Sequence, residues 1–366
     1  MSSLSEFAQV TRRVVVYAAL AVAAYFALVL LWKMATAIYF AINPPPEPPP
    51  TVGFGTLPQL NLRLTDVKGT PAYVLETPTG QLPEMANRAE VVAMASPVVT
   101  LLGEEKAREL ATKLDFGGQG TLSADRKTLT FTDSPDKRTL VVNVITQDFQ
   151  LSTAASRIVK LAKGVAPSPT SATESAKRIL AQQLGLLKFG FEAGNQTTAF
   201  FVSNGKSLLE AGSSSEAHLT EVSFFRTLTD VGSQNYPLLS PNPKRGLIRV
   251  GITTRLSPSI LNTLSIYFEA AETEIDKTKV ETYPIKTPQE AWDEMRAQNK
   301  VAYTKLTGEL DSVTITGISL AYFDDPTYQA YLQPIYVFSG VGKIGRSEGE
   351  FITYVSAISS IWVQQP

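Results

Sequence analysis

Hydrophobic positions along this chain fall into three regimes. The first is an unbroken apolar run: residues 14–32 carry no charged side chain, and at the helical rise such a stretch reaches about 28 Å, close to the hydrocarbon thickness of a bilayer. A helix of that length without a polar face suits lipid better than the core of a soluble fold. Val14 and Trp32 bound the run, with Arg12 and Arg13 on one flank and Lys33 on the other. Apolar character resumes from Met34 to Ile42, so Lys33 is expected to snorkel to the outer interface, with Trp32 and Tyr39 near headgroup depth. By the positive-inside rule Arg12 and Arg13 place residues 1–13 in the cytoplasm. The expected span and its outer extension cover residues 14–42, and everything after them lies outside the cytoplasm, anchored in the plasma membrane. A cleaved leader is the competing reading, because Ala35-Thr36-Ala37 has the small-x-small form of a processing site. The apolar core exceeds the about 7–15 residues of a leader, Lys33 interrupts the approach, and apolar chain follows, so a retained anchor is expected.

The second regime is Pro44-Pro45-Pro46-Glu47-Pro48-Pro49-Pro50. Each proline fixes φ and lacks a backbone donor, which excludes helix and central strand and favours an extended polyproline II spacer over residues 43–51. Directly after a spanning helix, a spacer that lifts the following module off the bilayer is favoured over an SH3-type ligand.

Beyond it, helical and strand periodicities alternate. Ala107, Leu110, Ala111 and Leu114 follow helical spacing behind Glu104 and Glu105. Ser171 and Glu174 form a capping-box pattern ahead of Ala176, Ile179, Leu180 and Leu184, with Gly185 as a stop. Thr287, Pro288 and Glu290 open a third helix that buries Ala291, Trp292 and Met295. Strand-like runs occupy 128–132, 139–145, 197–203, 219–228, 247–254 and 261–270, and Asn204-Gly205 predicts a hairpin between Phe200-Phe201-Val202 and Leu208-Leu209. Hairpins imply antiparallel sheet, so the predicted class is α+β: one transmembrane helix, then antiparallel sheets each packed by a helix. The three helix-plus-strand units begin near residues 104, 171 and 287, an irregular and degenerate repeat. Gly164, Pro167, Ser168 and Pro169 mark the predicted boundary, giving domains at 52–163 and 171–366 joined by 164–170.

Composition narrows the chemistry. After residue 50 the chain holds 30 cations and 32 anions, which leaves no excess positive charge to neutralise phosphates, and no nucleic-acid partner is expected. Cysteine is absent, which removes disulfides, thiolate metal sites, a cysteine nucleophile and a lipidated anchor, and suits a bacterial cell envelope. With His218 as the single histidine, zinc sites of the common types are excluded. Glu272, Glu274 and Asp276 could share one strand face and hold calcium, but interspersed Lys277 and Lys279 favour a solvated, edge-protecting face. Serine-hydrolase chemistry with His218 and Ser213, Ser214 or Ser215 lacks the G-x-S-x-G elbow. Ser203-Asn204-Gly205-Lys206 has the serine–lysine spacing but sits at a hairpin tip, and Gly205-Lys206-Ser207 lacks the earlier glycine of a phosphate loop, where Phe200 stands. No catalytic residue, cofactor or metal is assigned.

In the last third, Tyr283-Pro284-Ile285-Lys286-Thr287-Pro288-Gln289-Glu290-Ala291-Trp292 is similar to the helix entry of PepSY-like domains and of the YycH and YycI type of membrane-anchored regulators. The strand Ile318 to Tyr322 and then Tyr331-Leu332-Gln333-Pro334-Ile335-Tyr336-Val337-Phe338 resemble the two strands that follow in those proteins. The resemblance covers residues 281–360. It implies a helix packed on antiparallel sheet in an extracytoplasmic protein that acts by binding another membrane or envelope protein, without catalytic residues. Asn299-Lys300 stands where relatives often have glycine. Without any family, Ile335, Val337, Phe351, Val355 and Ala357 alternate as half-buried strands, with a turn at Asp324-Asp325-Pro326. The expected function is therefore a membrane-anchored binding and regulatory protein. A structural component of an envelope or appendage assembly is the alternative, and an unrecognised hydrolase the third.

Overall fold

A computed structural model describes residues 3–42, 49–96, 102–133, 137–162, 164–188, 190–230, 232–253, 263–268 and 275–364. The chain divides into two compact units, Met1–Pro49 and Pro50–Pro366. The first is built on one helix, α1 (Ser3–Ile42), about 60 Å long at the α-helical rise. Its segment Thr11–Phe40 is long and apolar enough to cross a membrane, and none of its most apolar window is buried. The helix begins well before Val14, so residues 3–13 belong to the same helix as the apolar run. Ala35-Thr36-Ala37 lies within the same helix, where the Thr36 hydroxyl donates back to the Trp32 and Lys33 carbonyls. Residues 43–48 of the expected spacer lie outside the described residues.

The second unit is α+β. In chain order its strands are β1 (Thr65–Asp66), β2 (Ala72–Leu75), β3 (Arg88–Met94), β4 (Thr121–Leu122), β5 (Thr128–Asp133), β6 (Arg138–Asn143), β7 (Phe149–Thr153), β8 (Gln196–Ser203), β9 (Leu208–Ala211), β10 (Leu219–Phe224) and β11 (Thr227–Thr229). They continue with β12 (Asn235–Leu239), β13 (Ile248–Ile252), β14 (Thr263–Phe268), β15 (Ile275–Pro284), β16 (Lys300–Val301), β17 (Tyr303–Thr304), β18 (Ser312–Phe323), β19 (Tyr331–Leu332), β20 (Pro334–Ile344) and β21 (Ser347–Ser356). The helices are α2 (Gly103–Lys113), α3 (Ala155–Leu161), α4 (Pro169–Lys177), which a π-helical segment Arg178–Leu184 prolongs, and α5 (Pro288–Gln298).

Nine strands, ordered β4-β5-β6-β7-β14-β13-β10-β8-β9, make one antiparallel sheet drawn entirely from residues 121–268. The long meander β18-β20-β21 carries a second sheet, flanked by β12, β11 and β17, with β2 also on β18; β2 and β12 run parallel to β18. Smaller sheets pair β15-β3-β19 and β1-β16. The predicted division at 164–170 therefore does not separate two sheets. The nine-stranded sheet spans it, and β2 and β3 pair with β18 and β15 from the far end of the chain. Residues 121–268 are nested within a discontinuous base, and only the β11–β12 hairpin leaves them to join the base sheet. A loop rich in proline and glycine marks a helix entry as readily as a domain border, and here it leads into α4.

Local chemistry sets the helix ends. Pro169 occupies the first position of α4, where its missing N–H costs nothing, so Ser168 becomes the cap and its hydroxyl accepts from Ser171 N–H at 3.3 Å. This corrects the Ser171–Glu174 box by one turn. Gly185 closes the π-helical segment with φ of 68°. Thr287 and Glu290 form the expected reciprocal box on α5: Thr287 N–H donates to Glu290 Oε2 at 2.7 Å, and Glu290 N–H to the Thr287 hydroxyl at 3.2 Å. Asn299 takes the left-handed conformation at the end of α5, as its short polar side chain allows.

Two main cores result. Ala107, Ala111 and Leu114 of the α2 region and Ala172, Ala176, Ile179 and Leu180 of the α4 region pack on β5, β6, β7, β10, β13 and β14, so two helices share one sheet instead of each covering its own. Under α5, Ala291, Trp292 and Met295 pack with Tyr283, Tyr336, Phe338, Phe351 and Val355. Trp292 is 8% exposed, with its ring 6.2 Å from that of Phe338. Trp292→Ala should destabilise the second unit by about 3–5 kcal/mol, read as a lower denaturant midpoint with unchanged slope.

Candidate functional site

The chain passes from the nine-stranded sheet to the base sheet between β10 and β11, at Phe225 and Arg226. Two glycines let the preceding loop lie against this crossing. A Cβ on Gly194 would fall 1.6 Å from the Phe225 carbonyl oxygen, and one on Gly190, at φ of 97°, would fall 2.9 Å from that of Thr227. Glycine is the residue that allows such backbone approach. The loop then docks by main-chain hydrogen bonds, from Phe225 N–H to the Asn195 carbonyl at 3.0 Å and from Thr227 N–H to the Gly190 carbonyl at 3.2 Å.

Arg226 is 2% exposed and Asp324, at the end of β18, equally so. The guanidinium grips the carboxylate through both branches: Nε donates to Oδ2 at 2.9 Å and Nη2 donates to Oδ1. Its other side lies 5.6 Å from the Phe191 ring centroid. Main-chain bonds lock the same point, Leu238 N–H to the Arg226 carbonyl at 3.0 Å and Asp324 N–H to that of Leu239 at 2.9 Å. A planar fork on a carboxylate fixes orientation as well as distance.

Beside this junction opens a cleft of about 750 Å³, lined by the Gly190–Ala193 loop, Thr227 and Thr229 of β11, Ala95, and Ile275 to Thr278 at the start of β15. Apolar and polar groups share its wall. Glu192 accepts from Gly190 N–H at 2.9 Å and so braces the loop from within. Thr229 donates to Asn235 Oδ1 at 2.7 Å, which ties the hairpin wall together. Asp276 accepts from the Thr278 side chain and backbone, bonds that hold its carboxyl below the usual range, and pairs with Lys279 Nζ at 3.3 Å. The cleft offers carboxylates, an ammonium at Lys277 and three threonine hydroxyls at the meeting of two sheets, a setting suited to binding.

Of the residues singled out from sequence, Asp276 and Lys277 line this cleft, and the other described ones fall elsewhere. Arg12, Arg13, Val14, Trp32 and Lys33 are all exposed on α1. The family-like motif converges, but as core: Tyr283, Ala291, Leu332, Tyr336 and Phe338 are fully buried. Tyr283 donates to the Gly55 carbonyl at 2.9 Å and Tyr336 to that of Lys286 at 2.6 Å, and burial pushes the Tyr336 phenol up to about 12. Pro284 pairs with Arg88, Tyr331 stacks on Phe54 at 4.8 Å, buried Pro334 opens β20, and Gln333 donates to the Pro58 carbonyl at 2.9 Å. Glu290 is spent on its cap.

Ser203 and His218 are neighbours without forming a catalytic dyad. His218 Nδ1 accepts the Ser203 backbone N–H at 2.9 Å, while the Ser203 hydroxyl donates to the Ala155 carbonyl at 2.7 Å and accepts from Gly205 N–H. The hydroxyl proton therefore points away from the imidazole. Glu272 and Glu274 lie outside the described residues, and among those described no group of three His, Cys, Asp or Glu side chains is placed to hold a metal ion.

Glu192 and Thr229 carried no signal in the sequence, and the signal at Arg226 was missed. Arg226 interrupts the apolar run 219–228, and a cation inside a strand-like run is the feature that marks a buried pair; Asp324 passed as a turn residue. No family model matches this chain, and no curated protein does. A crystal structure of an uncharacterized protein from Eubacterium rectale ATCC 33656 is similar at 13% identity, covering 75% of this chain and 84% of that one with a TM-score of 0.35. A likeness at that score carries no argument about fold or function.

Breaking the pair at one end, by Arg226→Met or Asp324→Asn, should cost about 3–5 kcal/mol, because the other charge stays buried without its partner. The double replacement Arg226→Met/Asp324→Leu should cost less than the sum of the single changes, measured in a double-mutant cycle by chemical denaturation.

A second electrostatic feature lies on β10, where half-buried Glu221 sits between Ala199 and Gly251. Burial raises its carboxyl above the usual range, and Arg249 and Arg245 oppose that shift. A raised carboxyl favours folding fully only below the ordinary glutamate range, near about 4.3, and that contribution is lost as pH rises. Glu221→Gln should thus be more stable than the parent at pH 7, and the difference should vanish towards pH 4 in denaturation midpoints.

Proposed function

We propose that this protein is a membrane-anchored, extracytoplasmic binding protein that regulates another membrane or envelope protein. The observation that carries the reading is α1, whose apolar stretch Thr11–Phe40 packs against nothing in its own unit. An apolar helix surface of that length is stable in lipid and costly in water. Arg12 and Arg13 at one end orient it with the N-terminus in the cytoplasm. The cleft at the sheet junction supports binding as the second unit's task, since Glu192, Thr229, Asp276 and Thr278 in its lining are held by bonds within their own loops. The resemblance of residues 281–360 to PepSY-like, YycH and YycI-type regulators supports the same assignment.

Tethering keeps such a module at high local concentration beside a membrane partner, so attachment is part of the activity. A photo-reactive residue at Thr229 in the full chain should give a discrete adduct with an envelope protein in intact cells. The adduct should be lost when residues 1–42 are replaced by a cleavable leader. Equal adduct formation by the released protein, or protection of the second unit from protease added to intact cells, overturns the reading.

A further inference from the structure

Sheets expose hydrogen-bonding groups at their edges, and most edges of the second unit are blunted. β4 and β17 are two residues long and β11 three. β15 carries the charged bulge of Asp276 to Lys279 at one end and is strapped at the other, where Val52 N–H donates to the Thr282 carbonyl at 3.0 Å. β2 lies between Pro71 and Glu76 and exposes one large apolar side chain, Val74. These are the devices that stop edges from pairing with other chains. β9 is guarded least: four residues long, it carries a single charge, Glu210, and no proline or bulge. Among the described residues it pairs with β8 alone, and it presents two adjacent leucines, Leu208 at 37% and Leu209 at 51% exposure.

The ladder defines which groups of β9 face outward. The Phe201 carbonyl accepts His218 N–H at 2.8 Å, so the Phe201 backbone faces β10, and by alternation Val202 faces β9. Leu209 lies opposite Val202, and Glu210 opposite Phe201. Leu209 therefore bonds inward, while the N–H and C=O groups of Leu208 and Glu210 point out from the sheet.

We propose that β9 pairs antiparallel with β9 of a second copy of this chain, about a two-fold axis at Leu208, joining two nine-stranded sheets edge to edge. Charge selects this occupant and this register. Three two-fold pairings set the outward groups of β9 against a second copy; in the one centred on Leu208, Lys206 lies in the turn with its N–H donated to Asn204 Oδ1 at 2.9 Å, so Leu208 supplies the main-chain bonds and Lys206 its side chain. Centred on Glu210, two carboxylates oppose each other; centred on Leu209, Leu208 faces Glu210. Centred on Leu208, leucine meets leucine, and exposed Lys206 of each copy meets exposed Glu210 of the other, so the edge is complementary to itself. The pairing does not depend on the regulatory reading or on the cleft.

The absence of cysteine makes the test direct. In a hydrogen-bonded antiparallel pair, opposed Cα atoms lie about 5.5 Å apart, within disulfide reach, whereas diagonal positions lie about 7–8 Å apart, beyond it. The full chain in its membrane carrying Leu208→Cys should become a disulfide-linked homodimer on mild oxidation, and Leu209→Cys should not. Adding Lys206→Glu to the Leu208→Cys chain should lower dimer yield about fivefold, the order expected of two exposed ion pairs, and adding Glu210→Lys as well should restore it. A monomer at Leu208→Cys, a dimer at Leu209→Cys, a mixed disulfide with a different protein, or indifference to charge reversal overturns the proposal.

Discussion

The architecture of the second unit turns on one buried ion pair. Arg226 and Asp324 are 98 residues apart in sequence and belong to different sheets until the β11–β12 hairpin crosses over. Two charges withdrawn from water have a large desolvation penalty, which their attraction offsets only in good geometry with every remaining polar atom engaged. The pair therefore tolerates one seating of the nested sheet on the base. Apolar packing alone would accept many similar seatings at little cost, because hydrophobic burial has no direction.

That constraint explains the glycines around it. For Arg226 to reach Asp324, the β10–β11 crossing must run close under the Gly190–Asn195 loop, and side chains at Gly190 or Gly194 would hold the two backbones apart. Phe191 then covers the guanidinium. The cleft is what this arrangement leaves on its open side, and its walls come from the loop, the crossing hairpin and the returning β15. A ligand held there touches both sheet systems at once, which is how occupation of the cleft would be felt across the unit.

Stability and availability are divided in space. Tyr283, Trp292, Tyr336 and Phe338 are buried in the core around α5. The cleft and β9, by contrast, are open to solvent. The buried residues bear on how the base folds. What the protein touches is decided by surfaces that do not include them.

Sequence by itself determined what depends on near neighbours. The apolar helix, the three helix segments, the Thr287–Glu290 box and the Asn204-Gly205 hairpin were legible because side-chain periodicity, capping and turn geometry act within a few residues. The exclusion of thiolate chemistry followed from composition alone. Tertiary structure decided the rest: the nesting of 121–268 inside the base, the sharing of one sheet by α2 and α4, the partnership of Arg226 with Asp324, and the separation of the Ser203 hydroxyl from His218. None of these is written in local pattern, because a strand's periodicity says which face is buried but not which strand lies beside it. A charged residue in an apolar run likewise announces that it needs a partner, and only the folded chain supplies one.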